Sequence, residues 1–195
     1  MQGILCRHWL PVLLLGLLAG SPAVALDIER RVIPETGLLS WTLVDHGFSL
    51  ELVQLQSDFV RAVYGARGFS SELIEEIAAY CVFGTIAKNL SDGSLSYRVA
   101  DWRVTMADGH ARHEQPPRTK SEWVARWKKA GIPYNWSILP DDQTLDVGDW
   151  NQGFTTVKAG RGSRFAFTVS WTVEGESHEA SIPDMRCPPD QIPAH

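Results

Sequence analysis

The sequence predicts a mainly β protein with helical insertions: an antiparallel β-sandwich, immunoglobulin-like or cupredoxin-like, that carries a helical hairpin and one further helix. Three observations support this fold class. Most apolar runs have a two-residue period, and glycine-containing turns separate them. Three other segments have the apolar spacing of amphipathic helices. In the longest alternating run, one strand face collects five large side chains, which are Phe165, Phe167, Val169, Trp171 and Val173.

Residues 1–25 have the features of a secretory signal peptide. Arg7 supplies a short positive region, residues 10–19 are almost wholly apolar, and small residues at 23–25 match a cleavage site. The apolar stretch is too short for a comfortable membrane span, and no other stretch reaches the roughly 20 apolar residues that a span needs. We therefore expect a periplasmic or secreted protein with no transmembrane segment once the leader is removed.

The remaining chain has the size and charge of one exported domain. We assign residues 26–187 to a single β-sandwich domain with helical insertions, and residues 188–195, which contain three prolines, to a flexible tail. The leader holds one of the 18 basic residues and none of the 23 acidic ones, so the remainder has a net charge of −6. Acidic chains bind nucleic acid poorly, and we expect no nucleic-acid partner.

The first strands are predicted from alternation and from turn residues. Residues 26–33 form a short run that ends at Pro34, which is typical of an edge strand because proline cannot donate to a ladder. Alternating runs at 39–43 and 48–52 flank a glycine-containing turn at 45–47. This arrangement predicts a β-hairpin.

The apolar period changes at Ser57 and predicts a helical hairpin. The first helix is capped by Ser57 and ends at Gly68, which has the position of a C-terminal glycine cap. The second helix begins at Ser70 or Ser71 and runs to Ala78. Both helices present one apolar face, so we expect the pair to lie on the sheet.

The middle of the chain is predicted to return to strands. Residues 81–86 form one strand, and the apolar residues of 97–106 form a longer one. The phase of the longer run slips, which predicts a bulge at Ala100 and Asp101. Residues 107–118 are polar and predict a solvated loop. Histidines at 110 and 113 in that loop would bind a metal only if a helix or tight turn presented them.

The last third begins with a helix and ends with a meander. Thr119 and Glu122 have the spacing of a capping box, and Gly131 ends the helix that they begin. Alternating apolar residues at 134–138 predict one more strand. Three further runs predict a β-meander at 154–157, 165–173 and 178–182.

Two cysteines, Cys81 and Cys187, remain when Cys6 leaves with the leader. In an oxidising compartment the simplest state of two cysteines is one disulfide. Closing so long a loop stabilises the fold by about 4–5 kcal/mol in the chain-entropy account. The sequence therefore predicts a disulfide-stapled scaffold that needs no cofactor.

A copper site is the alternative use of these cysteines. Thiolate, thioether and imidazole are the ligands that select copper, and His178, Met185 and Cys187 supply them within one short stretch. Cys81 would complete the set in a periplasmic copper-binding protein or metallochaperone. A disulfide would leave only Met185 and His178, which are too few for a tight site.

Two features predict partner docking. Arg126, Lys128 and Lys129 belong to a basic concentration in an acidic chain, which predicts a face for an acidic partner; an ordinary solvated helix face is the competing interpretation. Trp150 and Asn151 follow a turn-rich stretch and could form an aromatic platform for a sugar or a peptide.

The same turn-rich stretch carries four aspartates, Asp141, Asp142, Asp146 and Asp149. Carboxylates in a glycine loop are hard oxygen ligands that suit Ca²⁺, although aspartate also forms turns and the spacing differs from that of an EF-hand loop. A hydrolase that uses Asp149 with a histidine is a further alternative, for which the sequence supplies no orienting partner.

The sequence contains none of the common reaction motifs. A nucleophile elbow, a Walker loop, a dinucleotide-binding glycine motif, a zinc-binding helix motif and a C-x-x-C pair are all missing from the 195 residues. We therefore expect a non-enzymatic binding or accessory protein that presents its helices and loops to a partner. We expect that partner to be another exported or membrane-anchored protein.

Overall fold

A computed structural model describes residues 26–108 and 111–190. The predicted signal peptide, His110 and residues 191–195 of the predicted tail lie outside this range. The described part folds into two antiparallel sheets with three α-helices, which confirms the predicted mainly antiparallel sandwich; its assignment to an immunoglobulin-like or cupredoxin-like class stays a prediction. The elements are β1 (Asp27–Val32), β2 (Leu39–Asp45), β3 (Phe48–Leu55), α1 (Ser57–Gly65), α2 (Ser71–Ala78), β4 (Cys81–Asn89), β5 (Leu95–Arg98), β6 (Arg103–Asp108), β7 (Ala111–Gln115), α3 (Lys120–Lys129), β8 (Asp142–Leu145), β9 (Trp150–Val157), β10 (Arg164–Val173) and β11 (Glu176–Arg186).

Sheet A has the strand order β1-β2-β3-β4-β9. In sheet B, β10 pairs with β11 on one side and with both β5 and β6 on the other. β5 pairs in turn with β8, and β6 pairs with β7. The core between the sheets collects the alternating residues of both, including Trp41, Phe83, Trp102 and Phe167. One face of β10 is thus buried, as its alternation predicts.

The predicted long strand at 97–106 is two strands that lie one after the other along β10. Tyr97 pairs with Trp171 and Val104 pairs with Phe167, so the eight residues 97–104 lie opposite the five residues 167–171. The three extra residues form a 3-10 turn, Val99–Asp101. The phase slip is therefore at the predicted place, but a turn absorbs it and the predicted bulge at Ala100 and Asp101 is wrong.

The three helices cover one end of the outer face of sheet A. Their apolar faces form a second core with Val82, and Trp123 and Trp127 of α3 are fully buried in it. The helical hairpin and the third helix are confirmed, and the capping box of Thr119 and Glu122 is present. The prediction that Ser57 caps the first helix is wrong, because Gln56 is the N-cap residue of α1.

Three local predictions in the second half are wrong. The predicted loop at 107–118 contains β7, a polar strand that pairs only with β6 among the described strands. The predicted strand at 134–138 is irregular, and Ile138 makes a single parallel bridge to Phe154. The predicted C-terminal meander is divided between the sheets, because β9 pairs with β4 and only β10 and β11 pair with each other.

The two sheets are joined by a covalent and a polar link at one end of the sandwich. The predicted disulfide between Cys81 and Cys187 is present and is buried. Nearby, the Gln54 carboxamide accepts a hydrogen bond from the backbone N–H of Leu39 and donates one to the carbonyl of Arg186, at 2.8 and 2.9 Å. In the described part of the chain, helices long and apolar enough to cross a membrane are absent.

Candidate binding groove

The outward side chains of β3, β4 and β9 form cross-strand rows on the outer face of sheet A. Strand pairing sets these rows, because residues opposite one another on antiparallel strands share a face. From the helix-covered end outward, the rows are Leu55–Val82–Thr156, Val53–Gly84–Phe154, Glu51–Ile86–Gln152 and Ser49–Lys88–Trp150.

The helices cover the first row and leave the next rows open. Leu55 and Val82 pack in the helical core, and Trp123 Nε1 donates a hydrogen bond of 2.8 Å to Thr156 Oγ1. Beyond this row, α1 on one side and residues 134–137 on the other border an open groove. The floor of the groove is therefore bare sheet.

We call this feature the aromatic groove, and its volume is about 740 Å³. That volume is typical of ligand-binding sites. The exposed aromatic residues of the described chain all lie on this face of the molecule: Phe59 is 51% exposed, Trp136 is 73% exposed and Trp150 is 54% exposed. The side chains that line the groove are mainly apolar and include Phe59, Val63, Ile86, Trp136, Gln152 and Phe154.

One end of the groove is closed by Arg67 and Tyr134. The guanidinium of Arg67 lies over the ring of Tyr134, 5.7 Å from its centroid, and donates a hydrogen bond to the carbonyl of Val63. Beneath them, Tyr64 Oη lies 2.7 Å from Ser137 Oγ, and burial raises the pKa of Tyr64. This end of the groove is therefore held by packed aromatic rings.

The predicted docking residues are not brought together. Arg126 is paired with Glu76 at 2.8 Å and with Glu72 at 3.0 Å, and these contacts hold α3 against α2. Lys128 and Lys129 are exposed at the end of α3. The docking role of this basic face stays a prediction.

Trp150 and Asn151 were expected after a turn-rich stretch, and they are the first two residues of β9. Trp150 faces outward, one outward position beyond Gln152 on the same strand. Asn151 lies on the opposite face of β9 and donates a hydrogen bond of 2.7 Å to Gln143 Oε1. Trp150 thus belongs to the face that carries the groove, and Asn151 does not.

The four predicted copper ligands do not converge on one site. Cys81 and Cys187 are bonded to each other, and a disulfide offers no thiolate. Met185 is buried beside them, whereas His178 lies seven residues back along β11, about 23 Å away at the usual strand rise. His178 stacks on His46, 4.4 Å between ring centroids.

In the described ranges, clusters of three or more His, Cys, Asp or Glu side chains suited to a metal ion are absent. Copper binding stays a prediction.

Two aspartates of the predicted calcium loop, Asp141 and Asp149, accept hydrogen bonds from backbone groups. The Asp141 carboxylate accepts hydrogen bonds from the backbone N–H groups of Lys120 and Ser121, the latter at 2.8 Å, at the beginning of α3. Asp149 accepts one from the N–H of Asp146 at 3.3 Å. Both interactions are typical of aspartate at helix N-termini and in turns.

A second open depression, of about 690 Å³, lies on the outer face of sheet B. Hydroxyl side chains such as Ser96, Thr144 and Thr172 line it. An antiparallel sheet that faces water has polar residues on its outer side, so this lining is the expected solvent face of a sandwich. We therefore assign the candidate site to the aromatic groove.

Sequence reasoning missed Phe59, Trp136 and Gly84 as site residues. Phe59 falls in the first predicted helix, which presents one apolar face, and Trp136 falls among the alternating apolar residues of the predicted strand at 134–138, and both assignments imply burial. The signal that could have found the groove is Gly84, a glycine inside an apolar strand run, because such glycines often mark close approach of a ligand or another backbone. Comparisons with protein-family models, with curated proteins and with solved structures found no match to this chain.

Proposed function

We propose that this protein is an exported, non-enzymatic binding or accessory protein that holds a partner in the aromatic groove of sheet A. The observation that carries the proposal is the exposure of Phe59, Trp136 and Trp150 on one face of the molecule. Exposed aromatic side chains gathered on one face mark interaction sites, because leaving them in water costs free energy that a partner recovers.

The scaffold suits such a role. The groove is built on three paired strands, and the Cys81–Cys187 disulfide joins β4, its middle strand, to the end of sheet B. Rigid elements hold binding residues more precisely than loops do. A partner would therefore meet a surface that changes little on binding.

Export is part of the proposal. The leader-like residues 1–25 and a buried disulfide both suit an oxidising compartment outside the cytoplasm. A partner that meets the protein there is another exported or membrane-anchored protein. Cell fractionation with thiol alkylation tests this step: we expect the protein outside the cytoplasm with both cysteines protected until reduction, and cytoplasmic protein with two reactive thiols would contradict export.

Photo-crosslinking tests the binding face. We would place p-benzoylphenylalanine at Phe59 or Trp136, and at Thr168 on the outer face of sheet B as the matched control. We expect one discrete adduct from both groove positions and none from Thr168 in intact cells.

The crosslinked protein, identified by mass spectrometry and purified, should then bind the wild type at least tenfold more tightly than Phe59→Ala or Trp136→Ala. Thr168→Ala should bind like the wild type. Adducts that form equally well from Thr168, or not at all from the groove, would show that the binding face is wrongly assigned.

A further inference from the structure

We infer that the aromatic groove seats an amphipathic α-helix of the partner and that Gly84 allows the helix to approach the sheet. This inference rests on the proposed function and adds the chemistry of the partner. It follows from the glycine at the centre of the groove floor, from the width of that floor, and from the hydrogen bonds that already occupy the edge of β9 beside it.

Gly84 lies in the middle of β4, between Val53 and Phe154 in its cross-strand row. A Cβ at this position would meet nothing closer than the Leu55 side chain at 3.8 Å, which is an ordinary contact. The backbone of Gly84 also lies outside the positive-φ region that favours glycine. Glycine weakens a strand, so a glycine that neither packing nor backbone conformation requires indicates close approach by another molecule.

The neighbouring glycine shows the contrast. A Cβ on Gly153 would overlap the backbone of Leu139, lying 2.5 Å from its Cα. The segment that follows Trp136 crosses β9 at this point, so Gly153 is required by the fold itself. Gly84 has no such neighbour on the groove side.

The floor of the groove has the width of a helix. It spans β3, β4 and β9, and two strand spacings of about 4.8 Å give roughly 10 Å, which is the diameter of an α-helix with its side chains. One wall is the side of α1, where Phe59 and Val63 lie one helical turn apart. A helix placed here would lie beside α1 and extend the helical layer over the rows that it leaves open.

An added strand cannot pair with β9 beside Gly84. At Phe154 the edge of β9 is already occupied: the backbone N–H of Phe154 donates to the carbonyl of Ser137, and the carbonyl of Phe154 accepts from the N–H of Leu139. Further along, the carbonyl of Thr156 accepts from the backbone N–H of Arg118. A partner that covers Gly84 must therefore bind through side chains on the sheet face, which is how a helix binds in a groove.

Arg67 adds a charge preference. Among the residues whose side chains the structure describes, no carboxylate lies within 4.0 Å of its guanidinium. We expect the partner helix to combine apolar residues at i, i+3, i+4 and i+7 with an acidic residue where it meets Arg67.

Peptide selection tests this inference. A phage library of fully randomised 16-residue peptides would be selected on the oxidised mature protein. The clones would then be measured against Gly84→Val, whose side chain fills the centre of the floor, and against Thr168→Val as the matched control on sheet B. Thermal unfolding would establish that both variants fold, and Gly84→Ala would replace Gly84→Val if the valine variant did not.

We expect the recovered peptides to share the helical apolar stripe and to gain helical circular dichroism on binding. Their affinity should fall at least tenfold for Gly84→Val and stay unchanged for Thr168→Val, and Arg67→Glu should weaken the acidic clones. Peptides without helical periodicity, equal affinity for Gly84→Val, or no enrichment would overturn the inference. Crosslinks from Phe59 and Trp136 that persist in that case would leave the proposed function standing, whereas their absence would remove both.

Discussion

Cys81 and Cys187 are 106 residues apart in the sequence, and their Cα atoms lie 5.1 Å apart across the two sheets. Cys81 begins β4 and Cys187 follows the last residue of β11. The bond therefore ties the beginning of β4, the strand next to the edge of sheet A, to the end of β11 in sheet B. Beside it, the carboxamide of Gln54 in β3 donates a hydrogen bond to the carbonyl of Arg186. A disulfide and a hydrogen bond therefore both join the two sheets at one end of the sandwich.

Removal of the disulfide should weaken the fold strongly. We expect the double variant Cys81→Ala, Cys187→Ala to lose about 3–5 kcal/mol of unfolding free energy, because the unfolded chain regains the entropy of a long open loop. Urea unfolding of the oxidised wild type, the reduced wild type and the double variant measures this loss. The reduced wild type should match the variant, and a loss below about 1 kcal/mol would show that the bond contributes little.

Asn89 should be among the most sensitive polar residues. Its fully buried carboxamide donates to the carbonyls of Gly93 and Leu145, at 2.7 and 3.0 Å, and accepts from the N–H and hydroxyl of Ser91. Asn89→Asp keeps the shape of the side chain but replaces the donating NH₂ group by a carboxylate oxygen, which would face two carbonyl oxygens. We therefore expect the unfolding free energy to fall by about 2–4 kcal/mol. Chemical denaturation checks this value, and the exposed Asn135→Asp, as control, should change stability by less than about 0.5 kcal/mol.

The two glycines of the groove region should respond oppositely to alanine. Gly153→Ala should destabilise the protein by about 1–3 kcal/mol, because its Cβ would overlap the backbone of Leu139. Gly84→Ala should be neutral or stabilising by up to about 1 kcal/mol, since its Cβ has room. Melting temperatures of the two variants check the contrast. Similar destabilisation by both substitutions would mean that Gly84 is structural.

Arg126 should contribute to stability and Lys129 should not. Arg126→Ala removes the contacts to Glu72 and Glu76 that hold α3 on α2, and we expect a loss of about 1 kcal/mol. Lys129→Ala, on the same helix, should be silent in the same urea titration. Charge reversal of Lys128 and Lys129 should also leave binding of the crosslinked partner unchanged, and a tenfold loss there would favour the basic docking face.

Stability should fall at alkaline pH through two tyrosines. Burial raises the pKa of Tyr64 and of Tyr97 above the ordinary phenol value of about 10. The stabilisation is complete below about pH 10 and is lost above it, because the unfolded chain ionises first. The double variant Tyr64→Phe, Tyr97→Phe should show a flatter decline in unfolding free energy between about pH 9 and about pH 11. A slope equal to that of the wild type would contradict this assignment.

The elements that could be predicted are those whose own side chains show a periodic burial pattern or a capping motif. The alternation in β10 indicates one buried face, and the capping box of Thr119 and Glu122 marks the beginning of α3. The polar β7 was missed because its residues carry no apolar alternation. Residues 134–138 were misassigned because apolar alternation also arises where an irregular segment packs on a strand edge, which buries Ile138 and exposes Trp136.

The sequence by itself determined the periods of the strands and helices, the capping of α3 and the one pair of cysteines that follows residue 25. Only the tertiary structure decided that β9 pairs with β4 and not with β10, and this pairing sets Phe154 and Gln152 beside Gly84 and Ile86. The physical reason is that strands pair through backbone groups that every residue carries, so the choice of neighbour depends on how the whole core packs. The aromatic groove combines a helix, three strands and a connecting segment, and no local stretch of sequence contains it.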